Sequence, residues 1–162
     1  MRDRVGGSGD RLRTLDEGWE MAAAPAGASL DPSEASATLA WQAALVPGTV
    51  AGSLRAAGAW TTDGPARAFD DEEWWYRLRF RADPVEDDEE VLLRFDGLAT
   101  VAEAWLNGHA VLRSSSMFVA RECPVEQQLR ERNELILRFA PLNGLLGERR
   151  PRGRWRVPMI DQ

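Results

Sequence analysis

The amino-acid sequence predicts an all-β fold, an antiparallel β-sandwich with one or two short helices. Strand-like segments recur about every ten residues, with turn signals between them, and this spacing is typical of sandwiches. The segment WWYRLRFRA, residues 74–82, alternates between two faces as a half-buried strand does. A parallel α/β fold needs a helix after each strand, and the pattern lacks those helices. The antiparallel arrangement is therefore favoured.

Length and composition indicate one globular domain with additional residues at both ends. The chain has 162 residues, of which 44% are hydrophobic, and it contains seven tryptophans. This composition is far from that of disordered chains. We expect a flexible lead-in over residues 1–14 and a β-sandwich over 15–145. Residues 146–162 are expected to be a linker or the start of a further segment.

Charge and hydropathy exclude several classes of partner. The net charge is −6 and the isoelectric point about 4.9, so the basic face that nucleic-acid binding needs is not expected. The sequence has no apolar run of about 18 residues, so no membrane span is expected. The first residues lack the apolar core of a signal peptide, which predicts a cytoplasmic location. Cys123 is the only cysteine, which excludes an internal disulfide.

The first third of the chain predicts one strand and one helix. A first strand is expected in WEMAAAP from Trp19, followed by a loop through AGASLDPSEAS. Residues 37–46 could form a strand or a helix, because periodicity does not decide so short an apolar run. The segment VPGTVAGSLRAAG, 46–58, predicts a helix of about two turns. Thr49 is its expected N-cap, and Gly58 lies where such a helix ends.

The strand over 74–82 follows a polar loop, residues 59–73, and has two different faces. One face carries Trp74, Tyr76, Leu78 and Phe80. The other face carries Trp75, Arg77, Arg79 and Arg81. Because the first set is apolar throughout, it is expected to point into the core.

The second half of the chain predicts a series of further strands. These are expected over 91–98, 100–106, 117–123 and 133–141, with a short turn after Pro124. Asn107-Gly108 predicts a two-residue hairpin that returns through HAVLRSS, because a type I′ turn needs positive φ at both central positions.

The residues that usually carry catalysis are scarce. His109 is the only histidine and lies beside the hairpin turn, which argues against a Ser-His-Asp relay and excludes a two-histidine metal site. The acidic runs at 70–73 and 86–90 lie in turns, so solvated charge is favoured over a carboxylate pair for sugar hydrolysis. Neither run matches a calcium loop, and no glycine-rich phosphate loop is present. We therefore expect no catalytic residue, metal or cofactor in this chain.

Tryptophan placement suggests a surface that something must cover. Trp75 and Trp105 fall on the opposite faces from the small or apolar residues of their strands. Exposed tryptophans of this kind are usually covered, by a second layer, a loop or a neighbouring domain. A platform for sugar rings is the alternative, since aromatic faces pack against them.

Several segments in this order resemble a known family. The segments VPGTVAGSLRAAG, EWWYRLRF and LLRFDGLATVAEAWLNG, followed by MFVAREC and NELILRF, resemble the N-terminal domain of family 2 glycoside hydrolases, closest to the β-mannosidase branch. The likeness covers roughly residues 19–145. It implies a jelly-roll sandwich of the galactose-binding type, which agrees with the strand pattern.

The resemblance also implies where the chemistry lies. The parent enzymes hydrolyse β-linked glycosides with retention, using two carboxylates on a (β/α)₈ barrel further along the chain. Such a barrel takes about 250 residues, so no catalytic residue of the family is assigned here. The sandwich lends loops to the rim of the substrate pocket, which suggests Trp60, Asp70 and Asp71 in the loop 60–73 as rim contacts. The tail GRWRVPMIDQ lacks the Trp-Asp-Trp segment that is usual in β-mannosidases, which leaves the sugar unassigned.

Three functions follow as hypotheses. The first is a non-catalytic sandwich domain that packs beside a catalytic barrel of the same protein. The second is an independent carbohydrate-binding module that uses Trp75 or Trp105. The third is a protein-interaction sandwich with no sugar ligand.

Overall fold

The computed structural model describes residues 3–5, 11–85 and 89–147. Within them, the strands are β1 Asp3–Val5, β2 Arg11–Arg13, β3 Trp19–Pro25, β4 Gln42–Ala43, β5 Glu72–Arg81, β6 Leu92–Phe95, β7 Ala102–Leu106, β8 His109–Ser114, β9 Arg121–Pro124 and β10 Arg132–Phe139. The helices are α1 Pro32–Thr38, α2 Val50–Ala56 and α3 Asn143–Leu146, with one 3₁₀ turn at Phe69–Asp71. The helix predicted within 46–58 corresponds to α2, whereas α1 and the single turn of α3 lie outside it.

The strands form a large sheet and a small one. The large sheet has six strands in the order β4-β3-β5-β10-β7-β8, and every neighbouring pair is antiparallel. Strands β6 and β9 form a separate antiparallel pair, and their apolar side chains pack against the core of the large sheet. The predicted all-β, antiparallel sandwich is confirmed. Strands β1 and β2 pair with each other inside the expected lead-in.

Strand β5 is the centre of the large sheet and is buried on both faces. Trp74, Tyr76 and Leu78 point into the core between the two sheets, as the alternation predicts. Trp75 lies in a second, smaller core on the outer face. The strand begins at Glu72, two residues before its predicted start.

The predicted hairpin is present between β7 and β8. Asn107 has φ of 52° and Gly108 has φ of +84°, the conformation for which this dipeptide is suited. The Asn107 side chain also donates to Gln128 O (2.7 Å) and to Asn133 Oδ1 (2.8 Å), and it accepts from Glu134 N (2.9 Å). The turn residue therefore ties the hairpin to strand β10 as well.

Helix α2 agrees with its sequence signals. Thr49 Oγ1 accepts a hydrogen bond from Gly52 N at 3.0 Å, and Gly58 has φ of +68° just beyond the last turn. Leu54 is buried in the main core, which supplies the packing that so short a helix needs.

Helix α1 occupies a segment that we predicted to be a loop. Asp31 Oδ1 accepts from Ser33 N at 2.8 Å and from Glu34 N at 2.9 Å, while the Glu34 carboxylate accepts from Asp31 N at 3.1 Å. This capping box satisfies the free N–H groups of the first turn, and Pro32 suits the first helical position. The undecided segment 37–46 is mostly irregular and contributes only the two residues of β4.

The predicted strand over 117–123 is largely wrong. Strand β9 begins only at Arg121, because its partner β6 offers four residues for pairing. Before it, Ser116 N donates to Ser114 Oγ and Phe118 N donates to Ser116 Oγ, each at 3.4 Å. These local bonds hold the chain in a loop.

Three regions for which the sequence makes predictions lie partly outside the described residues. The structure does not describe residues 1–2 and 6–10 of the lead-in, residues 86–88 of the second acidic run, or residues 148–162 of the expected linker. In the described part, no helix is long and apolar enough to cross a bilayer.

We expect Asp31→Asn to lower stability at about pH 7 and to have a smaller effect at about pH 3. Hydrogen bonds from Glu34 N and the Ser33 hydroxyl hold the pKa of Asp31 below its ordinary value of 3.8. A lowered folded-state pKa stabilises the protein above 3.8, and this stabilisation is lost as the pH falls through the folded-state value. Urea midpoints of the variant and the parent at both pH values measure the difference. Asp63→Asn, outside any helix cap, is the control; equal shifts in both variants would contradict the prediction.

Candidate functional site

The candidate site is a cleft between the large sheet and several loops. Its volume is about 460 Å³. The floor consists of core side chains from three neighbouring strands of the large sheet: Trp19, Trp74, Tyr76, Leu137 and Phe139. The walls come from residues within 46–51, 69–72, 97–99 and 140–142, which include the start of α2 and the 3₁₀ turn as well as loops. The cleft is therefore an apolar floor enclosed by these segments.

Two of the walls depend on glycines for close backbone contacts. A Cβ on Gly97 would lie 2.6 Å from Met117 O, and a Cβ on Gly48 would lie 2.6 Å from Leu45 O. No side chain fits at such distances, so the loop 115–120 packs directly behind the wall at 97–99. Through this contact the loop that carries Met117, Phe118 and Val119 lies against the cleft wall.

An aromatic cluster with one cation forms the side wall. The Phe69 ring lies 5.4 Å from the Trp60 ring, edge-on, and 6.2 Å from the Trp74 ring. The Arg67 guanidinium lies 5.2 Å from the centre of the Trp74 ring and donates to both oxygens of Glu72, at 3.0 and 2.7 Å. The hydrogen bond to Glu72 raises the pKa of Arg67. The charge of Glu72 is thus neutralised at the cleft wall.

The three residues suggested for a substrate rim lie in three different environments. Asp70 is exposed and lines the cleft. Trp60 is half-buried against Phe69, and its Nε1 is buried without a hydrogen-bond partner among the described residues. Asp71 accepts a hydrogen bond from Asn143 Nδ2, which ties the wall to helix α3. Contact of Asp70 and Trp60 with a substrate stays a prediction.

Trp75 is covered by a second layer of the same chain, one of the covers that the sequence predicts, and it is therefore not a surface for a sugar or another domain. Its side chain is 0% exposed, and Trp105 is half-buried and stacks on it at 6.0 Å with an angle of 18°. The cover is the segment around helix α1, including Ala35, Leu39 and Trp41. It therefore comes from the chain itself, because the segment predicted to be a loop folds onto the sheet. Trp75 is not accessible to a sugar ring.

A buried carboxylate beside Trp75 was missed in the sequence. Glu73 is fully buried, accepts from Trp75 Nε1 at 2.9 Å and pairs with Arg138. Arg138 also pairs with Glu103 at 3.0 Å, and Glu103 in turn with Arg113 at 3.0 Å. The hydrogen bond to Glu73 is the main cause of the raised pKa of Arg138. Glu73 is placed by the alternation of β5, but its partner became visible only with the register of β10.

The cleft lacks a free pair of carboxylates. Asp70 and Glu72 are the acidic residues among those that line it. Both oxygens of Glu72 accept hydrogen bonds from Arg67, which leaves Asp70 as the one available carboxylate among the described lining residues, whereas a retaining glycosidase uses two. In residues 3–5, 11–85 and 89–147, no group of three or more histidine, cysteine or acidic side chains could hold a metal ion.

Comparison with known families identifies the domain. Residues 19–155 match the family described as glycosyl hydrolase 2 galactose-binding domain-like. The chain belongs to this family. The resemblance predicted from the ordered segments is thereby confirmed, and the galactose-binding-like domain takes up most of the chain.

The curated relatives that the galactose-binding-like domain matches are much longer proteins. It is 39% identical over 87 residues to β-mannosidase B of Thermothelomyces thermophilus, a match over 51% of this chain and 10% of that protein. It is 39% identical over 64 residues to β-mannosidase B of Aspergillus terreus, over 40% of this chain and 8% of that protein. The matched part is therefore about a tenth of their length.

Solved structures with the same fold are also parts of longer chains. A β-D-mannosidase from Dictyoglomus thermophilum superposes with a TM-score of 0.65 and 28% identity, over 82% of this chain and 16% of that chain. A β-glucuronidase from Faecalibacterium prausnitzii superposes with a TM-score of 0.62 and 19% identity, over 85% of this chain and 22% of that chain. The second likeness concerns the fold alone. In both proteins this domain is accompanied by further polypeptide.

We expect Tyr76 to titrate far above an ordinary tyrosine. Burial on the cleft floor raises its pKa to about 12, whereas an exposed tyrosine has a pKa of about 10. Tyr76 is the only tyrosine in the chain, so ultraviolet absorbance reports its ionisation directly. The same shift predicts that stability falls as the pH rises above about 10, because only the unfolded state ionises there. A native titration with a midpoint near that of the urea-unfolded chain would show that water reaches the hydroxyl.

We expect Glu73→Gln to cost about 2–3 kcal/mol of unfolding free energy, since it breaks a buried ion pair and leaves Arg138 with Glu103 as its remaining carboxylate. Glu72→Gln, one residue away, removes a partly exposed pair and should cost less than about 1 kcal/mol. Urea denaturation of both variants measures the two values. Equal losses would contradict the burial argument.

Proposed function

We propose that this galactose-binding-like domain is a non-catalytic part of a glycoside hydrolase of the β-mannosidase or β-galactosidase type. In this proposal it packs beside a catalytic barrel of the same polypeptide. The observation that carries the proposal is the engagement of Glu72 by Arg67, which leaves Asp70 as the free carboxylate of the cleft. Retaining hydrolysis requires two available carboxylates about 5 Å apart, one as the nucleophile and one as the proton donor. Among the described residues that line the cleft, Asp70 alone is left for these two roles.

The relatives support the domain context of this proposal. The first curated relative and the first solved structure are named β-mannosidases, and the matched domain forms 10% and 16% of their chains. A domain that accounts for so little of an enzyme leaves room for a barrel of about 250 residues. Other domains of the same polypeptide are therefore its proposed partners.

Carbohydrate contact is proposed at the exposed rim of the cleft. Asp70 is exposed there, and its carboxylate can accept hydrogen bonds from sugar hydroxyl groups. Phe69 and Trp60 place aromatic surface behind it. These residues would extend a substrate pocket whose reacting groups belong to the barrel.

Independent carbohydrate binding is the competing function, and the aromatic floor of the cleft is the observation in its favour. Trp74, Tyr76 and Phe139 present rings to the cavity, and such rings pack against pyranoses. The two functions differ in whether the 162-residue chain binds sugar without another domain.

We expect the 162-residue chain to show no turnover of aryl β-glycosides above the blank, and no heat of binding with mannose, galactose or glucuronic acid at millimolar concentrations. Chromogenic assays and titration calorimetry measure these. Binding that is lost in Asp70→Asn and kept in Asp63→Asn would favour an independent binding module. Turnover that depends on Asp70 or Glu72 would refute the non-catalytic role.

A further inference from the structure

Exposed apolar side chains are concentrated around the cleft. Seven large apolar side chains of the described residues are exposed, and five of them lie in segments next to the cleft walls. These five are Leu45, Met117, Phe118, Val119 and Leu146. Phe118 is the most exposed, at 87%. Single exposed apolar residues are ordinary, whereas a group on one surface marks an interaction site.

Three members of the group are joined directly to residues that line the cleft, and Phe118 and Val119 follow Met117 in the same loop. Leu45 directly precedes Val46. The carbonyl of Met117 packs against Gly97 so closely that no Cβ fits between them. Leu146 lies one turn after Leu142 in helix α3, with its N–H donating to Leu142 O at 2.9 Å. The apolar part of the cleft lining and these five residues are together called the cleft end below.

The loop that carries Phe118 is braced by its own hydrogen bonds. Ser114 Oγ donates to Ser116 O at 3.2 Å, and Ser116 Oγ accepts from Phe118 N at 3.4 Å. The ring is therefore presented to solvent by an ordered loop. Ordering before binding lowers the entropic cost of docking, which suits Phe118 to be an anchor.

The two layers of the sandwich are unequal, which explains why the cleft end is open. The large sheet has six strands and the small sheet two strands of four residues each. Loops enclose the remaining part of the large sheet and leave the rings of Trp74 and Phe139 at the floor of a cavity. In contrast, the outer face of the large sheet is already covered by α1 and by the ion pairs of Glu73 and Arg138.

We propose that the cleft end is the docking surface for an apolar face of a further domain of the same polypeptide. This inference rests on the proposed function, which requires such a further domain. It adds which surface of the galactose-binding-like domain the further domain contacts. Helix α3 begins at this rim, because Leu142 lines the cleft and Asn143 is tied to Asp71, and it is a single turn long. Polypeptide that continues beyond Gly147 therefore starts about one helical turn from the cleft, and its covalent linkage raises its effective concentration there.

Hydrogen–deuterium exchange tests the surface directly. The 162-residue chain is compared with the longest polypeptide that its reading frame encodes. We expect amide exchange in residues 45–51 and 115–119 to slow by about tenfold or more in the longer polypeptide, as it does where a surface becomes covered. Residues 92–95 of β6 and 32–38 of α1 should exchange equally in both.

Two variants of the longer polypeptide identify the anchor. Phe118→Ser should restore fast exchange in 45–51, whereas Leu92→Ser, which removes an exposed apolar side chain of β6, should leave the protection unchanged. Both side chains are exposed, so both variants are expected to fold, and circular dichroism checks this.

The outcomes separate this inference from the proposed function. Protection that appears at α1 or at β8 in place of the cleft end overturns the inference and leaves the accessory-domain function standing. Protection of the cleft end that survives Phe118→Ser overturns the anchor. Protection that depends on concentration in the 162-residue chain assigns the surface to a second copy and also overturns the inference. A reading frame that stops at Gln162 overturns both the inference and the proposed function, because each requires a further domain in the same polypeptide.

Discussion

Strand β5 is buried on both faces, and the rest of the domain is arranged around that constraint. Trp74 and Tyr76 need an apolar layer on one side of the sheet, and Trp75 needs one on the other. Strands β3 and β10 pair with β5 along most of its length, so it cannot move without breaking the sheet. The small sheet meets the first demand and the segment around α1 meets the second. A change that opened either layer would expose a tryptophan of the central strand.

The two faces of the large sheet differ in how completely the rest of the domain covers them. On the outer face, Glu73 is buried and would be costly without its ion pair to Arg138 and its hydrogen bond from Trp75. Contacts within the domain therefore cover that face. On the inner face, two short strands cover only part of six, so loops and two close glycine contacts complete the wall. Apolar surface therefore stays open at one end of the sandwich, and ligand sites usually lie in open apolar clefts of this kind.

Sequence patterns predicted the elements whose structure depends on residues that are close together in the chain. The Asn107-Gly108 turn, the Thr49 cap and the alternation of β5 depend on neighbours within a few residues, and all three are confirmed. The capping box at Asp31 was equally local, but the residues around it read as loop. The strand predicted from Met117 failed because a strand needs a partner, and β6 is too short to supply one there. Of the rim residues, Asp70 lies on the cleft, while Asp71 is engaged by Asn143.

The sequence by itself determined the antiparallel β class, the inward face of the central strand and the family, because each depends on residue order and spacing. Tertiary structure alone decided what covers Trp75, which carboxylate is buried and which is open, and where the cleft lies. The physical reason is register: Glu73 meets Arg138 only because β5 and β10 pair with Trp75 opposite Arg138. Such long-range pairing brings together residues 65 positions apart, and no local pattern encodes it.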